Sequence, residues 1–224
     1  MRMCSRAVYR FIWSIDYPGS KTLVSKMEQP IEDDRTFWGK QHLEHTIFLY
    51  VALASNKPLQ ERAGDLYRGW KDAPWNKQLV QDTEDFLKEV LQRLKVGEKL
   101  GFLPYSFYEH LLRELQYSVK RITTGLTYDQ EVAFWKEERT GELAVGLKLL
   151  DPKEEAFEEE GKLIVKALQS ARNSEEIFIG IQEMQTYLGI LGKEIENATV
   201  LTSISVTLAK HVEREGKRAL EILG

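Results

Sequence analysis

The chain has 224 residues, 42% of them hydrophobic and 29% charged, which is enough apolar content for one large packed domain or two small ones and too much for a disordered chain. Its 31 Lys and Arg face 35 Asp and Glu spread along the whole length, a formal net charge of −4 that offers no basic field to a phosphate backbone, so nucleic acid is not an expected partner. The single cysteine, Cys4, cannot form an intramolecular disulfide or a thiolate metal cluster, and a reducing, cytoplasmic location is the natural expectation.

Residues 1–30 read as an N-terminal extension. Arg2 and Arg6 precede Ala7-Val8-Tyr9 and Phe11-Ile12-Trp13, but Arg10 splits the apolar run and no small-residue cleavage site follows, so a secretory signal is rejected. The run is also far too short to cross a membrane, and no membrane partner is expected. Tyr17-Pro18-Gly19-Ser20 reads as a turn.

From about residue 31 the pattern is helix after helix, with few alternating β-branched runs and with Gly and Pro falling between long segments of helical period. The spacing predicts helices at about 31–54, 58–73, 76–96 and 104–124, then 128–150, 152–171, 174–194 and 201–223. Thr127 followed by Gln130 forms a capping box, Asp151-Pro152 supplies an N-cap with a first-turn proline, and Asn173 followed by Glu176 offers a second box. The fold class is therefore all-α.

Two landmarks recur. Phe37-Trp38 returns as Phe134-Trp135 after 97 residues, and His110 with Glu114 returns as His211 with Glu215 after 101. The expected organisation is an internal duplication: an extension at 1–30, a first four-helix repeat at 31–125 and a second at 126–224, with Thr123-Thr124-Gly125-Leu126 as the boundary. Short connections favour antiparallel neighbours within each bundle.

In the last helix Ile204, Leu208, His211, Glu215, Ala219 and Ile222 fall on one side, which places His211 and Glu215 inside the apolar stripe. Phe107, His110, Leu111, Glu114, Leu115 and Ile122 give a broader stripe in the fourth helix with the same polar pair embedded. A carboxylate carried into a bundle core costs several kcal/mol unless it is paired, hydrogen-bonded or bound to a metal. The first helix of each half offers partners, because Asp34, Trp38, Gln41, His45, Phe48 and Ala52 share a face that maps onto Glu131, Trp135, Glu138, Glu142, Val145 and Leu149. A His and a Glu at i, i+4 lie one above the other, and a third ligand from the facing helix completes a nitrogen and oxygen set suited to iron, manganese or zinc.

The duplicated Phe37-Trp38 with Glu44-His45, together with the His-x-x-Arg-Glu segments, resembles an uncharacterised bacterial family of two-repeat, ferritin-like helical proteins, over roughly residues 28–224. The resemblance implies helical bundles with metal sites and does not supply a reaction. Where that family repeats Glu-His in its second half, this chain has Gly141-Glu142, so a carboxylate stands opposite His45 in the alignment of halves. Ferritin-like di-iron proteins use Glu-x-x-His pairs, which neither half places suitably. Hemerythrins, which also use His-x-x-x-Glu, need more histidines than the four present.

Two readings follow. In the first, the first-half site is His45, His110 and Glu114 with Glu44 nearby, and the second-half site is Glu142, His211 and Glu215 with Glu138 as an extra ligand. The expected cofactor is a divalent or trivalent metal ion, iron or manganese ahead of zinc. In the second, a non-enzymatic bundle for structure or partner binding uses the same residues as a buried salt-bridge network, with Arg113, Arg214 or another Arg neutralising the carboxylates. Both readings allow a homo-oligomer. His42 is expected at the surface from its offset to the core stripe, and the Glu154-Glu155 and Glu158-Glu159-Glu160 run is expected to form the first two turns of a solvated helix. There is no phosphate-binding Gly-rich loop and no Gly-x-Ser-x-Gly elbow, so nucleotide and serine-nucleophile chemistry have no basis.

Overall fold

A computed structural model describes residues 33–73, 75–200, 202 and 206–224; the N-terminal extension and Ile204 lie outside these. The described residues form eight helices: α1 (Asp34–Ala52), α2 (Lys57–Asp72), α3 (Lys77–Lys95), α4 (Tyr105–Thr124), α5 (Tyr128–Leu147), α6 (Glu155–Ser170), α7 (Ser174–Glu196) and α8 (Val206–Leu223). The fold is all-α, with a lone antiparallel bridge between Leu150 and Thr202. No helix among the described residues is long and apolar enough to cross a membrane.

Side-chain caps set most helix starts. Asp33 accepts the amides of Arg35 and Thr36 at 3.1 Å, and Asn56 and Asn76 cap α2 and α3 in the same way. At α5 both bonds of the Thr127–Gln130 capping box form. At α7 Asn173 accepts the Glu176 amide at 2.9 Å, but the Glu176 carboxylate reaches back to the Arg172 amide, one residue earlier than a reciprocal box requires. The expected start at Asp151-Pro152 is corrected, since α6 begins at Glu155. Leu150 is held in its bridge to Thr202, so residues 151–154 are used as a turn: Asp151 accepts the Lys153 amide on its side chain and the Glu154 amide on its carbonyl. Gly125, with φ +72°, ends α4 in a backbone conformation that a side chain would strain.

Packing follows one pattern twice. Helix α1 packs on α2 and α4, and α3 packs on α2 and α4, closing a ring of four; α5 packs on α6 and α8, and α7 packs on α6 and α8, closing a second ring. All eight helices belong to one compact unit, Glu32–Gly224. One core joins Leu49, Leu59, Trp70, Phe86, Val90 and Leu111 from the first four helices. The other joins Trp135, Leu168, Ile181, Met184 and Ala219 from the last four to Phe37, Trp38 and Tyr117 from the first.

That aromatic seam fastens the two rings. Trp38 and Trp135 are fully buried and stack with ring centroids 6.1 Å apart, and Tyr117 packs edge-on against both at 5.4 and 5.7 Å. Burying an aromatic side chain of this size contributes roughly 4–6 kcal/mol at about 25 cal/mol per Å². Polar contacts reinforce the seam at two places. Arg218 of α8 binds Asp34 of α1, while Arg121 and the Tyr117 hydroxyl of α4 both reach Glu131 of α5. Gly101 lets the loop before α4 lie on the end of α1, because a Cβ there would stand 2.0 Å from the Ala52 carbonyl oxygen.

Candidate metal centre

Four helices, α1, α4, α5 and α8, turn their polar pairs toward one place. His45 Nε2 lies 3.0 Å from Glu114 Oε2 and 3.0 Å from His211 Nε2, and His211 Nε2 lies 3.1 Å from Glu215 Oε1. The four ligand atoms of this group lie within 4.8 Å of one another, and all four residues are buried. Beside it a second group forms from His110, Glu138 and Glu142, with His110 Nδ1 2.5 Å from Glu138 Oε1. His110 Nε2 is also 3.6 Å from Glu114 Oε2, so the two groups adjoin.

All eight residues singled out from the sequence converge here, but not in the expected sets. His45 and Glu114 come together with His211 and Glu215 of the other half, while His110 joins Glu138 and Glu142. The reason is the seam, which sets α1 against α8, so that Gln41 donates to Glu215 at 2.5 Å and His45 meets His211. Glu44 stands behind the first group and accepts from His211 Nδ1 at 2.7 Å.

The outer nitrogens define how the imidazoles point. Ser118 donates to the Leu115 carbonyl at 2.8 Å and accepts a hydrogen bond from His42 Nε2–H at 2.9 Å, which leaves His42 Nδ1 as an acceptor facing His45 Nδ1 at 3.4 Å. In this assignment His45 carries its proton on Nδ1 and turns the bare Nε2 lone pair toward Glu114 and His211. A partner on the outer nitrogen that fixes tautomer and ring orientation is the usual support of a metal-ligating histidine. His42 is thus not a surface residue: it is 2% exposed, packed between Trp38 and Trp70, and burial pushes its pKa down to about 3, keeping the ring neutral. Its offset from the stripe misleads because α1 is covered by α2 as well as by α4.

Charge in the site is only partly matched. Arg139, fully buried, binds Glu142 and donates to the Val212 carbonyl at 2.9 Å, and its nearest approach to Glu215 is 3.7 Å. Arg113 holds Glu138 at 2.8 Å, and Arg214 holds Glu44 rather than Glu215. Four buried carboxylates therefore face two guanidinium groups and the His211 imidazole. Both oxygens of Glu114 and one each of Glu138, Glu142 and Glu215 have no hydrogen-bond partner, and neither has His110 Nδ1, whose 2.5 Å approach to Glu138 lacks hydrogen-bond alignment. Such orphaned buried atoms are rare in native proteins and call for a cation or a proton.

Burial and the neighbouring carboxylates Glu215, Glu138 and Glu142 push Glu114 well above the usual carboxylate range. Burial also pushes Glu142 well up, against the opposing pull of Arg139. For Glu215 burial is outweighed by His211, which holds the carboxyl well below its ordinary value, and burial of His211 is in turn outweighed by Glu215 and Glu44, which raise it to about 9. His45 is lowered well below its ordinary value by burial and by His211.

Arg139 was not singled out from the sequence, which places Glu142 on the core face without naming a guanidinium beside it. The available signal was Gly216: a Cβ there would stand 1.9 Å from Gln185 Oε1 and 3.1 Å from Arg139 Nη2, so α8 needs a bare backbone where these side chains cross it. The Glu155 and Glu158 region is solvent-facing as expected.

His45, His110, Glu142 and His211 also line one end of a cavity of about 650 Å³ between α1, α4, α5, α7 and α8.

The eight-helix fold is shared with a crystal structure of an uncharacterized protein from Bacillus cereus G9241, which superposes with a TM-score of 0.78 at 14% identity over 85% of this chain and 88% of that one. In sequence the chain is similar to the uncharacterized protein L567 of Acanthamoeba polyphaga mimivirus, 24% identical over 57% of this chain. The match spans about half the length of the viral protein (50%). No family model matches the chain.

Proposed function

We propose that the two adjoining groups hold one or two metal cations, iron or manganese, within a tandem pair of ferritin-like four-helix units. The duplication is supported by the repeated ring of helix pairings and by the equivalent positions of Phe-Trp on α1 and α5 and of His-x-x-x-Glu on α4 and α8. The observation that carries the metal reading is the set of orphaned carboxylate oxygens around the inward-facing Nε2 of His45, in a buried site with more carboxylates than guanidinium groups. Three imidazoles and four carboxylates, with no thiolate among them, form the nitrogen and oxygen donor set that suits iron or manganese.

His45, Glu114, His211 and Glu215 would hold one cation, and His110, Glu138 and Glu142 a neighbouring one. Iron or manganese supplies redox or Lewis-acid chemistry when bound. The chain's own residues prepare the place. Ser118 and His42 orient His45, Glu44 orients His211, and Arg139 and Arg113 offset part of the negative charge. The alternative, a buried salt-bridge network centred on the His211 imidazolium, satisfies Glu44 and one oxygen of Glu215, and Arg113 and Arg139 each satisfy one oxygen of the second group, but both oxygens of Glu114 and one each of Glu138, Glu142 and Glu215 stay without a hydrogen bond.

Elemental analysis of protein purified without a histidine tag tests this. The parent is expected to carry iron or manganese, and His45→Ala with His110→Ala, one ligand from each group, is expected to lose it. Substoichiometric metal in the parent, unchanged in the double variant, would establish the salt-bridge network instead.

A further inference from the structure

The cavity beside the candidate centre is built differently at its two ends. Of the buried residues in its wall the polar ones are His45, Glu142, His211 and Tyr187, and the Tyr187 hydroxyl is already spent on the Phe157 carbonyl at 3.0 Å. Everything else at depth is hydrocarbon, including Phe107, Leu111, Leu143 and Leu191. At the rim the exposed lining mixes apolar Ile47, Val51 and Phe102, the last at 71%, with Ser106, Glu109, Lys148 and Thr207, so the hydrocarbon surface is confined to the depth. A volume of about 650 Å³ falls inside the roughly 300–1,000 Å³ of small-molecule sites.

The room is kept open by residue choice. Gly146 on α5 and Gly192 on α7 line the cavity, and a Cβ at either would meet no atom within 4 Å. Neither has the positive φ that would call for glycine. Glycine inside a helix is destabilising relative to alanine, and here no close packing accounts for it. Both helices give up stability at positions whose side chains would project into this space.

We propose that the cavity binds an aliphatic molecule with one terminal oxygen donor, its chain against the apolar wall and its polar end at His45, His110, Glu142 and His211. The head-group half of this rests on the cation reading above; the chain half rests on the cavity alone. An apolar wall rewards hydrocarbon in proportion to the area it covers, and the one polar end gives the molecule a single orientation.

Laurate is the probe, titrated calorimetrically into the purified full chain, with acetate as the same head without the chain. Metal content and melting temperature are measured on every sample. Parent protein is expected to bind laurate, and to bind acetate at least tenfold more weakly. Gly146→Leu and Gly192→Leu are expected to weaken laurate at least tenfold with metal content and melting temperature undiminished, since both side chains enter open space. Metal-loaded parent that binds no laurate, or binds it equally in all three proteins, overturns the cavity proposal and leaves the metal reading standing. Metal-free parent that binds laurate and loses it in both glycine variants supports the cavity and overturns the metal reading. Acetate binding as tightly as laurate overturns the assignment of the chain to the wall.

Discussion

Replacing Arg139 with Met removes the one fully buried guanidinium from the site and keeps most of its volume. In the cation-free protein three consequences add: Glu142 loses its ion partner, the Val212 carbonyl loses a donor at 2.9 Å, and Glu215 loses a positive charge 3.7 Å away. Breaking a buried pair by removing one partner costs about 3–5 kcal/mol, because the remaining charge is left in a medium that solvates it poorly. At about 2–4 °C per kcal/mol for a domain of this size, the melting temperature of chelator-treated Arg139→Met should fall by roughly 6–20 °C. Arg113→Met is the internal comparison. Its side chain is 32% exposed and water can rehydrate Glu138 in part, so its loss should be the smaller of the two. Adding Glu142→Leu to Arg139→Met removes both charges of the pair, and replacement of a buried pair by apolar groups is often neutral, so the double variant should recover at least half of the loss. Scanning calorimetry of the four proteins decides the matter. A loss below about 1 kcal/mol for Arg139→Met, or a double variant no better than the single, would refute the picture of a charge-strained core held by Arg139.

Other expectations are simpler. Ser118→Ala leaves His42 Nε2 buried without its partner and should cost about 1–3 kcal/mol by urea denaturation, while Ser118→Thr, which keeps the hydroxyl, should cost less. Gly101→Ala places a Cβ 2.0 Å from a backbone oxygen that cannot swing away, and should destabilise by about 1–3 kcal/mol; an unchanged urea midpoint would show that the loop moves freely off α1. Burial and the Glu131 carboxylate hold the Tyr117 phenol well above its ordinary value of 10.0. Above pH 10 the unfolded chain has released this proton and the native chain has not, so stability falls as pH rises, by up to about 1.4 kcal/mol per pH unit from this group. Tyr117→Phe should flatten that alkaline decline, and parallel curves for the two proteins would show that the phenol titrates freely.

Much of this was legible in the sequence because local rules governed it. The Thr127–Gln130 box fixes the start of α5 through bonds within one turn, and Asn173 does the same for α7. Asp151-Pro152 misleads because a contact distant in sequence, Leu150 with Thr202, claims the preceding chain. Seven of the eight site residues, all but Glu44, were visible as polar groups on the shared faces, and periodicity states that such a face is buried without stating what it is buried against. Hence His110 and His45 were assigned to one set, although the packing of α1 on α8 separates them. His42 was misread, and Arg139 passed over, because helices covered on two sides bury residues that lie off a one-sided stripe.

The pairing of His45 with His211 spans 166 residues of chain. Contacts of such separation are slow to form, because the entropy of closing a long loop is paid before any contact offsets it. A centre drawn from α1, α4, α5 and α8 is therefore complete only when α8 lies against α1, so the integrity of the site reports on the joining of both rings.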